Sequence, residues 1–283
     1  MAKRTSLWRR SSKITAALGL ATLFAAVGCV VEETLKPAPG LMQYMAPLVL
    51  DVTGGRVSLA TGNLQVERTD LSLDTSLGPF RVGAIYNSAN DSWLWSFDLQ
   101  HDGHHFTDPS GAWHDLSHVG IGETIPGTHW VVVDGHTMRT KAGLTYAFED
   151  GGLASVHWWR NPDSRLDFRR EVIAGQSRVT AIEYRCSGAY CADPLFTLDY
   201  DSAGRLERLV DHTGREAKFR YDALDRLVNA RDALDIEKGW PGTSYGYTTL
   251  ASGQSVLSSR TNSEGERIEF EFEGPRQQLS RVV

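Results

Sequence analysis

Residues 200–227 read YDSAGRLERLVDHTGREAKFRYDALDRL, and the beat of that stretch decides the fold. Four tetrads open with Asp: Asp201-Ser202-Ala203-Gly204, Asp211-His212-Thr213-Gly214, Asp222-Ala223-Leu224-Asp225 and Asp232-Ala233-Leu234-Asp235, starting 10, 11 and 10 residues apart. Asp at the first place of a type I turn caps its own backbone, and Gly or Asp at the fourth accepts a left-handed conformation. A full unit of 21 residues therefore reads as two strands and two turns. Self-similarity at that period points to stacked hairpins rather than to a compact enzyme.

The segments between the turns alternate as strands must. Phe196, Leu198 and Tyr200 fall on one face, with Thr197, Asp199 and Asp201 on the other. Phe219 and Tyr221 repeat the pattern against Lys218, Arg220 and Asp222. A more divergent third copy follows Asn262-Ser263-Glu264-Gly265, where Ile268, Phe270 and Phe272 oppose Glu269, Glu271 and Glu273. One apolar and one charged face suit a sheet laid on a core or wrapped around an interior.

In these residues the chain resembles the RHS or YD-repeat family of bacterial surface and toxin proteins. The match is Tyr200-Asp201 followed by Gly204-Arg205-Leu206, then Tyr221-Asp222 followed by Asp225-Arg226-Leu227, displaced by 21. Asp replaces Gly at turn positions 225 and 235, and the stretch from Lys238 to Gln254 lengthens one connection. Upstream, Ala60-Thr61-Gly62-Asn63-Leu64, Asp70-Leu71, Tyr86-Asn87-Ser88 and Trp93-Leu94-Trp95-Ser96-Phe97 look like the segment that precedes the repeats in the family. Thr61-Gly62-Asn63 itself reads as a hairpin turn between Val57-Ser58-Leu59 and Leu64-Gln65-Val66. Over residues 48–283 the resemblance implies β architecture, no catalytic residues and no cofactor. Full arrays in the family spiral into a hollow shell that can enclose a toxin.

The first 28 residues carry Lys3, Arg4, Arg9, Arg10 and Lys13 without an acid, then an apolar run from Ile14 to Val27, then Gly28-Cys29. That order describes a secretory signal, and Ala26-Val27-Gly28-Cys29 resembles a bacterial lipobox, which makes Cys29 the expected lipidation site. Plain secretion and an uncleaved anchor over Ile14 to Val31 are the alternatives. Arg9-Arg10 hints at twin-arginine export, but Ser11-Ser12 continues it poorly. The expected organisation is a signal peptide over 1–28, a tether over 29–47, a β-rich domain over 48–190 and an incomplete hairpin-repeat array over 191–283. The fold class is all-β, antiparallel, a partial shell.

Cysteine usage agrees with export. Beyond Cys29 the chain holds only Cys186 and Cys191, an even pair around a Gly-containing connection, which fits a hairpin-closing disulfide in an oxidising compartment; free thiols are the alternative. A loop that small stabilises by only about 2 kcal/mol. Losing residues 1–28 takes the net charge from −6 to −11, because five basic residues leave and no acidic one does. An acidic surface is repelled by phosphate backbones, so nucleic acid is not an expected partner.

His101, His104, His105, His114 and His118 crowd one span with Asp102, Asp108 and Asp115, a set of ligand types that suits zinc. Their spacing follows no zinc pattern, and Asp102-Gly103 and Asp108-Pro109-Ser110-Gly111 are turn chemistry, so no metal is expected. A strand here would place His101 and His105 on one face. Trp93, Trp95, Trp113, Trp130, Trp158 and Trp159 enrich the middle of the chain in indole. Core packing suits them, while the adjacent Trp158 and Trp159 face opposite sides of a strand and are the glycan contacts of the alternative, lectin reading. Asp193-Pro194 reads as a turn or strand start. No G-x-S-x-G, H-E-x-x-H or Walker motif occurs. Glu269, Glu271 and Glu273 read as a solvated strand face.

The functional expectation is an exported, lipid-anchored protein with a structural or recognition role at the outer membrane or cell surface, not an enzyme. A truncated or split part of a larger shell, partnered by a further RHS-type chain, is one form of it. A lectin using Trp158 and Trp159 on a surface glycan is the rival. The repeats are expected to end on an open sheet edge that recruits a partner.

Overall fold

The computed structural model describes residues 49–52, 55–58, 63–186, 189–273 and 278–283. Signal, Cys29, tether and the Thr61-Gly62 turn lie outside the described residues. Ala46–Val283 forms one compact unit.

Five strands, β1 (Val49–Val52), β2 (Gly55–Ser58), β3 (Leu64–Thr75), β4 (Gly78–Asn87) and β5 (Ser92–Trp95), pair antiparallel in sequence order. Val57 faces Leu64, so β2 and β3 form the expected hairpin. Asp70 is skipped in the β3–β4 register, where Thr69 faces Gly83 and Leu71 faces Val82. This bulge turns both Asp70 and Leu71 inward. Gly83 is obligatory opposite it, since a Cβ there would collide with the Arg68 carbonyl.

The short strands β6 (Gln100–His101), β7 (His105–Thr107) and β8 (Trp113–Asp115) follow. The long meander then runs through β9 (Trp130–Asp134), β10 (Thr137–Thr140), β11 (Leu144–Glu149), β12 (Gly152–Trp158), β13 (Asn161–Ile173), β14 (Gln176–Cys186), β15 (Ala189–Tyr200), β16 (Leu206–Asp211), β17 (Glu216–Tyr221) and β18 (Leu227–Arg231). After a short helix, α1 (Ala233–Lys238), it continues through β19 (Thr243–Thr249), β20 (Ser255–Thr261), β21 (Arg267–Glu273) and β22 (Gln278–Val282). From β9 onward every strand pairs antiparallel with the next, and β6 joins the side of β12 through Gly152 and Gln100. Among the described residues no register returns β22 to an earlier strand, so the sheet is an open ribbon.

The boundary expected at 190/191 falls inside β15, which pairs with β14 on one side and β16 on the other. Asp193-Pro194 does not turn the chain. It lies within β15, where the register slips from Tyr184 facing Ala192 to Ile182 facing Phe196. Proline cannot donate to the ladder, and a slip of this kind accommodates it.

The apolar faces of the repeats are buried against the first sheet. Phe196 meets Phe80 with ring centroids 6.0 Å apart, Phe219 meets Trp95 at 4.8 Å and Tyr245 meets Trp93 at 4.9 Å. Each such fully buried aromatic contributes about 2–3 kcal/mol, so the interior side of this part of the ribbon is filled by β3–β5.

Two expectations need correction. The fourth tetrad is not a hairpin turn: Asp232 caps α1 by accepting from the Asp235 N–H, and the Asp235 carboxylate reaches back to the Asp232 N–H. A type I turn already has helical dihedrals, so Ile236-Glu237-Lys238 extend it until Gly239, at φ 70°, closes the helix. The stretch from Lys238 to Gln254 is not merely a lengthened connection either. It contributes β19 and a fresh turn, Leu250-Ala251-Ser252-Gly253, with Gly253 at φ 86° and its N–H on the Leu250 carbonyl. The third unit is therefore centred on Tyr247 and Leu257, and Phe272 with Leu279 makes a fourth. Tyr200 faces Leu206, Tyr221 faces Leu227, Tyr247 faces Leu257 and Phe272 faces Leu279, in each case beside a register shift.

Candidate functional site

The repeated turns are self-contained charge modules. In the first, one Asp201 carboxylate oxygen accepts the backbone N–H groups of Ala203 and Arg205, both at 3.0 Å, and the other oxygen accepts the Arg205 Nε at 2.7 Å. Asp211 with Thr213 and Arg215, and Asp222 with Leu224 and Arg226, repeat this arrangement. Gly204, Gly214 and Asp225 take the left-handed fourth place at φ 78°, 86° and 61°. Burial alone would raise the three carboxyls. The hydrogen bonds from the arginines, the backbone and, at Asp211, Thr213 outweigh it and hold all three below the ordinary carboxylate value. Asn262 keeps the backbone half of the device, accepting from Glu264 and Glu266, and its amide donates to the Glu266 carboxylate in place of an arginine pair.

The tyrosines stitch neighbouring strands together. Tyr200 Oη donates to the Val179 carbonyl at 2.8 Å, Tyr221 Oη to Leu206 at 3.0 Å and Tyr247 Oη to Leu227 at 2.8 Å. Each of these hydroxyls is pushed well up, first of all by burial, and stays protonated. Arg205 lies over the Tyr221 ring at 5.2 Å and Arg226 over Tyr247 at 4.8 Å. The first and third turns thus grip the tyrosine of the following unit, while Arg215 of the second donates instead to the Ser72 carbonyl. The arginine role and the third tyrosine escaped the sequence reading. The Asp-to-Arg spacing of four residues was the available signal.

Arg68 of β3, held by an ion pair within its own strand, reaches the rings of the second sheet. Arg68, with its side chain 8% exposed, pairs with fully buried Asp70, and its guanidinium lies 5.1 Å from the centre of Phe219 and 5.9 Å from that of Tyr245. Burial lowers the Arg68 pKa. Arg68 Nε and Nη1 and Asp70 Oδ2 have no hydrogen-bond partner among the described residues.

The five histidines are not brought together, and no group of three metal-ligating side chains occurs among the described residues. The span is a hairpin rather than one strand: His101 in β6 faces Phe106 in β7, with the turn between. His101 is buried beside Phe106 and Phe148, and that burial lowers its pKa. His105 Nδ1 lies 3.1 Å from Asp102 and His114 Nε2 3.0 Å from Asp108, while His104 and His118 are exposed. Trp158 ends β12 half-buried. Trp159 is 51% exposed in the following turn, with Arg160 4.6 Å and Arg139 5.6 Å from its ring centre. Cys186 closes β14, and the side chain of Cys191 lies outside the described residues.

The model of the RHS repeat family matches residues 200–235, a stretch holding all three Asp-to-Arg modules and the start of α1. No curated protein matches the chain. Among solved structures, one titled "Crystal Structure of TcdB2-TccC3-TEV" aligns at 13% identity and a TM-score of 0.32, covering 88% of this chain and 14% of its own. This chain thus spans a small part of that one. The stretch from Tyr200 to Asp235 is similar in sequence to the RHS repeat, and it folds as part of the antiparallel ribbon and the start of α1.

Proposed function

We propose that this RHS-repeat chain is an exported, lipid-anchored scaffold at the bacterial cell surface that holds or recognises a partner and does not catalyse. The observation that carries the reading is the row of Asp-Arg turn modules inside the matched repeat. Their charged groups are engaged with their own turns and, at Arg205 and Arg226, with the next tyrosine, which serves stacking. Its place would be within a larger shell of the kind that encloses a toxin, with further repeat-bearing chain as partner and no nucleic acid. Cys29 is the lipid attachment site in this reading, supported by the basic start, apolar run and Gly28-Cys29 junction. Fatty-acid labelling of cells making the native chain or Cys29→Ala, followed by fractionation, tests it. Label and membrane association confined to the native chain are expected, and equal label in both would refute it.

A disulfide between Cys186 and Cys191 belongs to the same exported reading. The β14–β15 hairpin, which brings Cys186 opposite Ala189, supports that pairing. Intact mass before and after reduction and alkylation checks the pairing. A lectin role for Trp158 and Trp159 is the second reading, favoured by the half-exposed Trp159 ring. Glycan-array binding lost in Trp159→Ala would support it.

A further inference from the structure

A groove of about 580 Å³, outside the repeat match and away from Trp158 and Trp159, lies between the β6–β8 hairpins, the β11–β12 turn and the β13–β14 hairpin. Its size falls within the range of small-molecule sites. At one end stands Trp113, 61% exposed, stacked on His105 with ring centroids 4.5 Å apart and planes 22° from parallel. Asp102 fixes this stack from behind: one carboxylate oxygen accepts the His104 and His105 N–H groups at 2.8 and 2.7 Å, and the other holds His105 Nδ1 at 3.1 Å. The indole is therefore a braced platform that, among the described residues, no aromatic ring except His105 covers.

Much of the remaining lining is polar. Arg170 crosses Gly152, where a Cβ would sit 2.6 Å from the guanidinium carbon, and donates to the Leu153 and Ser177 carbonyls. Arg178 also lines the groove, with its Nε buried in the fold. Asp150, at φ 49° in the β11–β12 turn, presents an exposed carboxylate.

We propose that this groove binds a neutral hexopyranose unit of a surface glycan, its C–H face on Trp113, a ring hydroxyl accepting from Arg178 and another donating to Asp150. A polyol ring offers an apolar C–H face together with groups that both donate and accept. An anionic sugar meets Asp98, Asp102 and Asp150, which outnumber Arg170 and Arg178 along the wall; an organic cation meets both guanidinium groups. Burial raises Asp98, with Arg170 and Arg178 opposing that shift, so those two arginines already face a carboxyl. The site does not depend on the scaffold role of the repeats, nor on lipidation.

Calorimetric titration of the full chain with neutral gluco-, manno- and N-acetylglucosamine hexasaccharides, alongside polygalacturonate and a choline salt, tests the proposal. At least one neutral hexasaccharide is expected to bind. Trp113→Ala should weaken it roughly tenfold, about 1.4 kcal/mol, and Trp159→Ala should leave it unchanged. Asp150→Asn, which suits a left-handed turn position, should weaken binding severalfold without unfolding the chain, and so serves where Trp113→Ala fails to fold. The proposal is overturned by no binding across the neutral panel, by preference for the polyanion or the cation, by affinity indifferent to both Trp113→Ala and Asp150→Asn, or by loss confined to Trp159→Ala.

Discussion

Replacing Asp70 by Ala isolates the buried joint between the two sheets. The substitution leaves the Arg68 guanidinium with 8% of its side chain exposed and without its counter-ion, between Phe219 and Tyr245. An ion pair at close range in a partly polarisable interior is worth about 4 kcal/mol. The two aromatic faces that remain supply about 2 kcal/mol of cation–π attraction, which Arg68 makes in either variant and which therefore does not replace the carboxylate. Breaking one side of a buried pair costs about 3–5 kcal/mol in general, and that range is expected here. Removing both charges together, as Arg68→Met with Asp70→Leu, should cost within about 1 kcal/mol of nothing, because the desolvation of two ions disappears with their attraction. Equilibrium urea unfolding followed by tryptophan fluorescence gives all the free energies of the double-mutant cycle. If Asp70→Ala shifts stability by less than about 1 kcal/mol, or if the double variant is as damaged as the single one, the pair is not the joint described here.

Three further outcomes are expected. Gly214→Val should destabilise by about 1–2 kcal/mol, because a β-branched residue is forced to φ 86°, whereas Asp225→Gly should not destabilise, since it relieves φ 61° at the cost of one exposed arginine contact; thermal unfolding distinguishes them. Tyr247→Phe should cost about 2–3 kcal/mol and Tyr221→Phe about 1 kcal/mol, because Tyr247 Oη both donates to Leu227 and accepts from Trp93 Nε1, and equal losses would contradict that geometry. The folded-state pKa values of Asp201, Asp211 and Asp222 lie below the ordinary 3.8, so their contribution is complete above that value and disappears as pH falls through it toward the folded values. The urea midpoint should therefore drop between pH 5 and pH 2 more steeply in the native chain than in a variant carrying Asn at all three positions, and parallel curves would refute the assignment.

Periodicity made much of this architecture legible. The Asp tetrads and the period-2 alternation of Phe196-Leu198-Tyr200 and Phe219-Tyr221 are local features, and turns and strands follow from local dihedral preference and from which side chains must leave water. Hence the all-β class, the hairpins and the burial of Phe196 and Phe219 could be read from residue order alone. Even α1 was within reach, because Asp232, Asp235 and Gly239 spell a capping box and a left-handed stop.

Tertiary structure decided what depends on residues far apart in sequence. Tyr247 became the third repeat tyrosine because its hydroxyl reaches Leu227 and its ring lies under Arg226, contacts that the divergent sequence around Leu250 conceals. Asp70 became a buried counter-ion because the bulge opposite Gly83 turns it inward beside Arg68, whose guanidinium lies over Phe219, 151 positions further along the chain than Arg68. Trp113 and Trp159 look alike as letters. One is braced on His105 at the mouth of a groove and the other lies in a turn beside two arginines, a difference set by which strands the ribbon brings alongside each ring. Residue order determined the local conformations, since those minimise within a few residues; the pairing of sheet against sheet determined the sites, since burial and charge compensation are summed over whatever the fold places within a few ångströms.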